Sequence, residues 1–407
     1  MGGDTRLIRT LQLRNLLSFG PGSPPIELGP LNVLIGPNGS GKSNVIESIE
    51  LLRASASDLV APIRAGGGTE EWLWKGIEQI PVARLDATVR LPDLKSPLRH
   101  KFSFVSVRQR FALVDEQIDY EVDKSYEDQE SAFSYSLNEG DPVFNVPEEN
   151  DHNRTTGGKK GTRLLRGVYL TPNQSVLSQL RDPTQYPEIT YLSDSYKNFK
   201  LFRNWHLGRN SSLRRPQPVD LPNDFLAEDA SNLGLVFNFL ERTGNVKDTL
   251  NAHLARFYEQ HKDFAVSVEG GTVQIFLREK DLSGWIPASR LSDGTLHFLC
   301  LAAILCHPTP PPLICIEEPE IGLHPDILPT IAEMLIEASQ RTQIIVTTHS
   351  DILVDALSHV PEAVLVCEKE SNSTTVRRLD QVALRKWLEK YTLGELWRSG
   401  QLGGNRW

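Results

Sequence analysis

LNVLIGPNGSGKSNVIESI, residues 31–49, decides how this chain is read. LNVLI is a short apolar stretch of the kind that forms a buried strand. It runs into GPNGSGKS, and NVIESIELLRASA then has the spacing of a helix. Strand, glycine loop and helix together open a parallel α/β sheet. Gly36, Pro37, Asn38, Gly39, Ser40, Gly41, Lys42 and Ser43 fit G-x-x-x-x-G-K-[ST] in full. The glycines let successive N–H groups point inward at phosphate oxygens, and the helix N-terminus adds partial positive charge. In this pattern Lys42 reaches the β- and γ-phosphates and Ser43 ligates Mg²⁺, so ATP and Mg²⁺ are the expected cofactors.

Three further pieces lie in the second half. Leu313-Ile314-Cys315-Ile316-Glu317-Glu318 is an apolar strand ending in two acids. Such a strand delivers carboxylates to the carboxyl edge of the sheet, where the phosphate loop also opens. Glu317 is expected to hold Mg²⁺, directly or through water, and Glu318 to orient and deprotonate an attacking water. Thr347-Thr348-His349-Ser350 closes another apolar strand and puts His349 near the γ-phosphate or that water. Leu291-Ser292-Asp293-Gly294-Thr295 precedes an apolar helix, where Ser292 and the Gly294 N–H can bind phosphate.

In this order the four pieces resemble ABC-type ATPases of the SMC, RecF and overcoming-lysogenization-defect group. The resemblance covers 6–60 and 285–370, and includes LQLRNLLSFG at the start and EEPEIGLHP (317–325) before TTHS. It implies a P-loop NTPase head of ABC type, with catalytic residues Lys42, Glu318 and His349. It also implies that LSDGT acts in trans. Ser292 of one subunit then contacts the γ-phosphate held by Lys42 of the other, in an ATP-sandwiched head-to-tail homodimer or a larger assembly. Pro319 to His324 is the implied D-loop and His349 the switch histidine. Gln174, in VYLTPNQSVL, stands where the Q-loop metal ligand is expected. The family often has Asp where this chain has Glu317, which puts the metal geometry in question.

Around these motifs the expected organisation is an ATPase lobe over 1–81 and an antiparallel β insertion over 82–164, where period-2 alternation with aromatics dominates. A helical lobe with a hairpin turning at Gly270-Gly271 follows over 165–284. A second ATPase lobe covers 285–370 and a tail 371–407. Ser231 is the expected N-cap of the helix in SNLGLVFNFLERTG. Hydrophobic residues are 39% of the chain, which excludes wholesale disorder. The four cysteines form no C-x-x-C pair, so a zinc site is not expected. The longest apolar run, Phe298–Cys306, is too short to span a bilayer, and the N-terminus has no signal-peptide core, so a cytoplasmic protein without membrane contact is expected. No heptads persist over 50–290, which excludes a long coiled-coil arm. The 57 residues after Ser350 are too few for the Toprim domain of OLD-type nucleases.

The formal charge is −9, yet Asp115–Asp151 alone carries thirteen acids and one base. That segment repels nucleic acid and suits protein contact or a solvated face. DNA contact is expected instead from Tyr196–Val219, where Lys197, Lys200, Arg203, Arg209, Arg214 and Arg215 interleave with Phe199, Phe202 and Trp205. The competing reading places those aromatics in the core and the arginines at ATP or the other subunit. A second basic run holds Arg154, Lys159, Lys160, Arg163 and Arg166. The middle and end of the chain resemble compact bacterial RecF-like ATPases, whose members often work with a separate nuclease-like effector. The leading reading is an ATP-hydrolysing dimer acting with DNA or such an effector in phage defence or genome maintenance. The alternatives are an ATP-clamped scaffold with little turnover and a transporter ATPase subunit, against which the RecF-like opening argues.

Overall fold

The computed structural model describes residues 5–77, 79–94, 96–121, 134–138, 141–145, 162–164, 170–171 and 173–404. At its centre is a six-stranded sheet. Its strands, in chain order, are β1 (Leu31–Ile35), β2 (Lys200–Phe202), β3 (Leu313–Glu317), β4 (Gln343–Thr347), β5 (Val364–Glu370) and β6 (Ser373–Arg378). In space they run β2-β3-β4-β1-β5-β6. The first five are parallel, and β6 turns back antiparallel on β5.

Every residue of β1 and β4 is buried, as expected for parallel strands covered on both faces. Alternate side chains feed two separate cores. Val33, Ile35, Ile314, Ile316, Ile344 and Val346 join one, with helices Leu233–Glu241, Asp293–Leu305 and Leu328–Ser339. Leu34, Leu313, Cys315 and Ile345 join the other, with α1 (Lys42–Ser55) and helix Pro187–Lys197.

A second, antiparallel sheet of eight strands holds Ile26–Glu27, Ile8–Arg14, Ala83–Val89, Leu98–Val107, Arg110–Tyr120, Ser134–Asn138, Asp141–Asn145 and Thr162–Leu164, in that spatial order. Ile8–Arg14 pairs directly with Ala83–Val89, so the expected division at 82 falls inside one hydrogen-bonded sheet. Gln343 ties the two sheets together. Its amide donates to the carbonyls of Ile8 (2.8 Å) and Gly29 (2.9 Å) and accepts from the Ile8 N–H (2.8 Å). Buried backbone groups are thereby satisfied where the sheets meet.

The 165–284 region contains the expected hairpin, His261–Glu269 with Thr272–Glu279, turning at Gly270 and Gly271, both at positive φ. It belongs to a third sheet with Gln217–Pro218 and Trp285–Pro287. Ser231 is not the cap of the following helix. Leu233–Glu241 starts after Asn232, whose side chain turns away to the carbonyls of Pro222 and Phe225.

The acidic segment is only partly a solvated face. Glu116 is fully buried and accepts from the Val176 N–H (2.8 Å), the Ser175 hydroxyl and the His100 ring (3.2 Å). It joins the antiparallel sheet to the segment leading into Pro187–Lys197. Residues 122–133, 139–140 and 146–151 of that segment lie outside the described residues, as do Arg154, Lys159, Lys160 and Arg166 of the basic run. Of Arg163 only the backbone, in Thr162–Leu164, is described. Among the described residues no helix is long and apolar enough to cross a membrane.

Candidate active site

The carboxyl ends of β1 to β4 meet at one edge, where β3 ends in Glu317, β4 in Thr347, and Arg203 follows β2. After β1 the chain enters the Gly36–Ser43 loop. Gly36 (φ +147°) and Gly41 (φ +99°) adopt conformations that side chains rarely take. At Gly36 a Cβ would collide with the Cys367 carbonyl oxygen, and at Gly41 with the hydroxyls of Thr374 and Ser18. The loop is thus pressed against β5 and β6. Thr374 Oγ1 also donates to the Ser40 carbonyl (2.9 Å). Pro37, Asn38 and Gly39 form the outer rim, and Ser43 is exposed on the first turn of α1. The Lys42 ammonium, largely buried, donates to the carbonyls of Gly36 (2.8 Å) and Pro37 (3.1 Å). Burial lowers its pKa, while Cys367, Glu318 and Glu320 oppose that shift.

Glu317 closes β3 and Glu318 follows at φ +46°, a costly conformation for a residue with a side chain. The Glu318 N–H donates to the Thr347 carbonyl at 2.9 Å, which pins this turn to the end of β4. His349 Nε2 lies 3.6 Å from Glu318 Oε1. Glu320 reaches back to β4, accepting from the His349 N–H (2.8 Å) and the Thr348 hydroxyl (2.7 Å). Burial lowers the His349 pKa and Lys42 lowers it further, against the pull of Glu318 and Glu320. Lys42, Glu318 and His349 are therefore within electrostatic reach of one another.

Ser292 caps helix Asp293–Leu305, its hydroxyl accepting from the Thr295 N–H at 3.0 Å, and is exposed. A Cβ on Gly294 would meet the Gly322 carbonyl at 2.9 Å. Gly294 thus packs against the 319–324 loop. His297, on the same helix, holds that loop through Nδ1 to the Ile321 carbonyl (2.7 Å), and burial pushes its pKa down to about 4.

Gln174 is not brought to this edge. Its Nε2 donates to Asp58 Oδ1 (3.3 Å), beyond the far end of α1. Lys42 is the first of the fourteen residues of α1, so that end lies about 20 Å from it. A side chain there cannot share a metal with Ser43. The position beside Glu317 belongs to Arg203, which immediately follows β2. Its Nε is 3.2 Å from Glu317 Oε1, and its Nη1 donates to Glu50 Oε2 at 2.8 Å. Burial raises the Glu317 pKa; Arg203 pulls it down, and Glu47 pushes it up. Glu47 and Glu50 are residues of this edge that sequence reading missed; Arg203 is among the arginines that the competing reading places at ATP or the other subunit. The available signal was the spacing of Ser43, Glu47 and Glu50, which puts all three on one face of a helix.

The aromatics of the expected DNA segment, and Arg214, are also absorbed by the fold. Phe199 and Phe202 are buried, and Trp205 stacks on Phe202 with centroids 5.6 Å apart. Arg214 pairs with Asp293 and braces the 291–295 turn. Lys197, Arg209 and Arg215 remain exposed.

The donor set fits a magnesium nucleotide. Mg²⁺ typically takes one or two carboxylates plus phosphate oxygens, and the Glu317 carboxylate and the exposed Ser43 hydroxyl are groups that could hold it. The Ser40 hydroxyl is buried in the loop without a partner, and the Gly36 and Gly41 positions leave no room for side chains. Among the described residues no three His, Cys, Asp or Glu side chains are gathered as a metal cluster.

Residues 31–355 match the family described as AAA domain, putative AbiEii toxin, Type IV TA system. The chain is 31% identical over 121 residues to the Old nuclease of Escherichia phage P2, covering 27% of this chain and 20% of that protein. It is 29% identical over 120 residues to the chromosome partition protein Smc of Mycolicibacterium paratuberculosis, covering 29% and 10%. The alignments therefore span a fifth or less of these relatives. An Smc head bound to the C-winged helix domain of ScpA superposes with a TM-score of 0.57, over 93% of this chain and 99% of that one, at 13% identity. The Pyrococcus furiosus Smc head with an extended coiled coil gives 0.53 over 94% and 99%, at 12%. The fold is that of an Smc-type P-loop head.

Proposed function

The chain belongs to this AAA-domain family, and from that premise we propose that it binds ATP with Mg²⁺ and hydrolyses it in a head-to-tail homodimer. The convergence of Lys42, Glu318 and His349 at one sheet edge carries the reading. Lys42 exchanges its two loop carbonyls for phosphate oxygens. Ser43 and Glu317 hold Mg²⁺, which neutralises charge developing on the phosphates. Glu318 accepts a proton from the attacking water, and His349 positions that water or the terminal phosphate. Ser292, which is exposed in its own chain, and Gly294 complete the site from the second subunit. The dimer acts with DNA or with a separate nuclease-like effector, in phage defence or genome maintenance. The family description, with its toxin–antitoxin wording, and the partial match to a phage nuclease support that setting.

The test is ATP turnover with solution mass for wild type and Glu318→Gln, with and without duplex DNA. An ATP-dependent dimer that persists in the variant, with turnover in wild type only, is expected. ATP-dependent assembly with negligible wild-type turnover would instead indicate a scaffold that clamps around ATP.

A further inference from the structure

Arg203 and Glu317 are neighbours because of strand register. Phe202 pairs with Ile316 in the parallel β2–β3 ladder, so the next residue of each strand emerges at the same level. Leu201 and Cys315, two positions earlier, face the core that contains α1, and period-2 alternation puts Arg203 and Glu317 on that same side. There the guanidinium spans two carboxylates, Glu317 at 3.2 Å and Glu50 at 2.8 Å. The pattern continues outward. Arg53 lies 3.6 Å from the other oxygen of Glu50 and pairs with Glu228, which also accepts from the Leu201 N–H (2.8 Å). Acid and base alternate along a line from Glu228 to Glu317. Glu47 and Glu318 add two carboxylates within electrostatic reach of Glu317.

We propose that Arg203 is the built-in counter-ion of Glu317, occupying the place of a divalent cation until nucleotide arrives. This rests on the reading of Glu317 as a metal-holding residue. A tethered guanidinium cannot leave, so a divalent ion entering beside it meets repulsion that only added negative charge can offset. The nucleotide phosphates supply that charge. Glu317 then turns to the metal while Arg203 keeps Glu50. Arg203 is thus a positioning residue that makes cation binding conditional on nucleotide and keeps bare divalent ions off the acidic edge.

The test is Mn²⁺ binding to the full chain without nucleotide, read from the electron paramagnetic resonance signal of free Mn²⁺. Wild type is expected to bind weakly, R203Q at least tenfold more tightly, and R203K, which keeps the charge, like wild type. Circular dichroism checks folding, and Arg203→Met, which keeps the apolar stem, repeats the test if R203Q does not fold. Equal Mn²⁺ affinity in wild type and the charge-removed variant overturns the proposal. So does equal tightening in R203K, because space rather than charge would then be responsible. ATP binding by wild type is measured in parallel. A wild type that binds ATP beside an R203Q that gains no Mn²⁺ overturns the counter-ion role alone. A wild type that binds no ATP overturns the nucleotide reading of the site.

Discussion

His349 and Glu318 face each other across the ends of adjacent strands, imidazole Nε2 3.6 Å from carboxylate Oε1. Neither is held by that contact alone. Glu320 fixes the His349 backbone, and the Thr347 carbonyl fixes the Glu318 backbone. His349→Ala is therefore expected to lower ATP turnover on the order of 10–100-fold. ATP affinity should stay within about threefold, because Lys42 and the loop are untouched. Steady-state turnover beside equilibrium binding of a fluorescent ATP analogue checks this. Unchanged turnover would remove His349 from the reaction.

Gly36 and Gly39 both have positive φ, yet their surroundings differ. A Cβ at 36 meets the Cys367 backbone, whereas at 39 it meets nothing within 4 Å. Gly36→Ala is expected to lose ATP binding and to lower stability by more than the roughly 1–3 kcal/mol of backbone strain alone. Gly39→Ala should show only the strain. Chemical denaturation and ATP titration of the two variants separate these outcomes, and equal losses would refute the distinction.

Gly294 approaches the Gly322 carbonyl so closely that a methyl group at 294 must displace the 319–324 loop. If this surface closes the dimer, Gly294→Ala weakens ATP-dependent dimerisation at least tenfold and leaves nucleotide binding by the monomer intact. Light scattering and ATP titration on one preparation report both quantities. A dimer of normal strength would place the subunit contact elsewhere.

His297 gives stability a pH dependence. Burial holds its folded pKa near 4, against 6.5 for the free side chain. The unfolded chain therefore binds more protons between these values, and the contribution present above pH 6.5 is lost as pH falls toward 4. The stability of wild type relative to His297→Asn should shrink by about 2 kcal/mol between pH 7 and pH 5. Urea denaturation at the two pH values measures it. Comparing the two proteins cancels the other histidines lowered by burial (His253, His261, His307 and His349). A constant difference would show that the buried ring is not what titrates.

The sequence by itself determined the central sheet edge. The Gly36–Ser43 loop, the Glu317-Glu318 strand end and the Thr347–Ser350 strand end are each contiguous, and local chemistry dictates each of them. A strand that must be buried on both faces is written as an apolar run, and the change to polar residues, Glu317-Glu318 after Ile316 and Thr347-Thr348-His349 after Val346, marks the sheet's edge. Tertiary structure decided what depends on register and packing between distant segments. Arg203 reads as one of six basic residues beside aromatics until parallel pairing sets Phe202 against Ile316 and so places it at Glu317. Gln174 has a suitable motif context, but the length of α1 keeps it from the loop. Glu116 reads as one of thirteen acids, yet Ser175 and Val176 from a distant segment and His100 from the neighbouring strand donate to it in the core. Gln343 is one polar residue in an apolar strand, and the Ile8 and Gly29 backbone groups it satisfies lie more than 300 positions away. Such partners are fixed by which surfaces meet on folding, and sequence spacing carries no record of that.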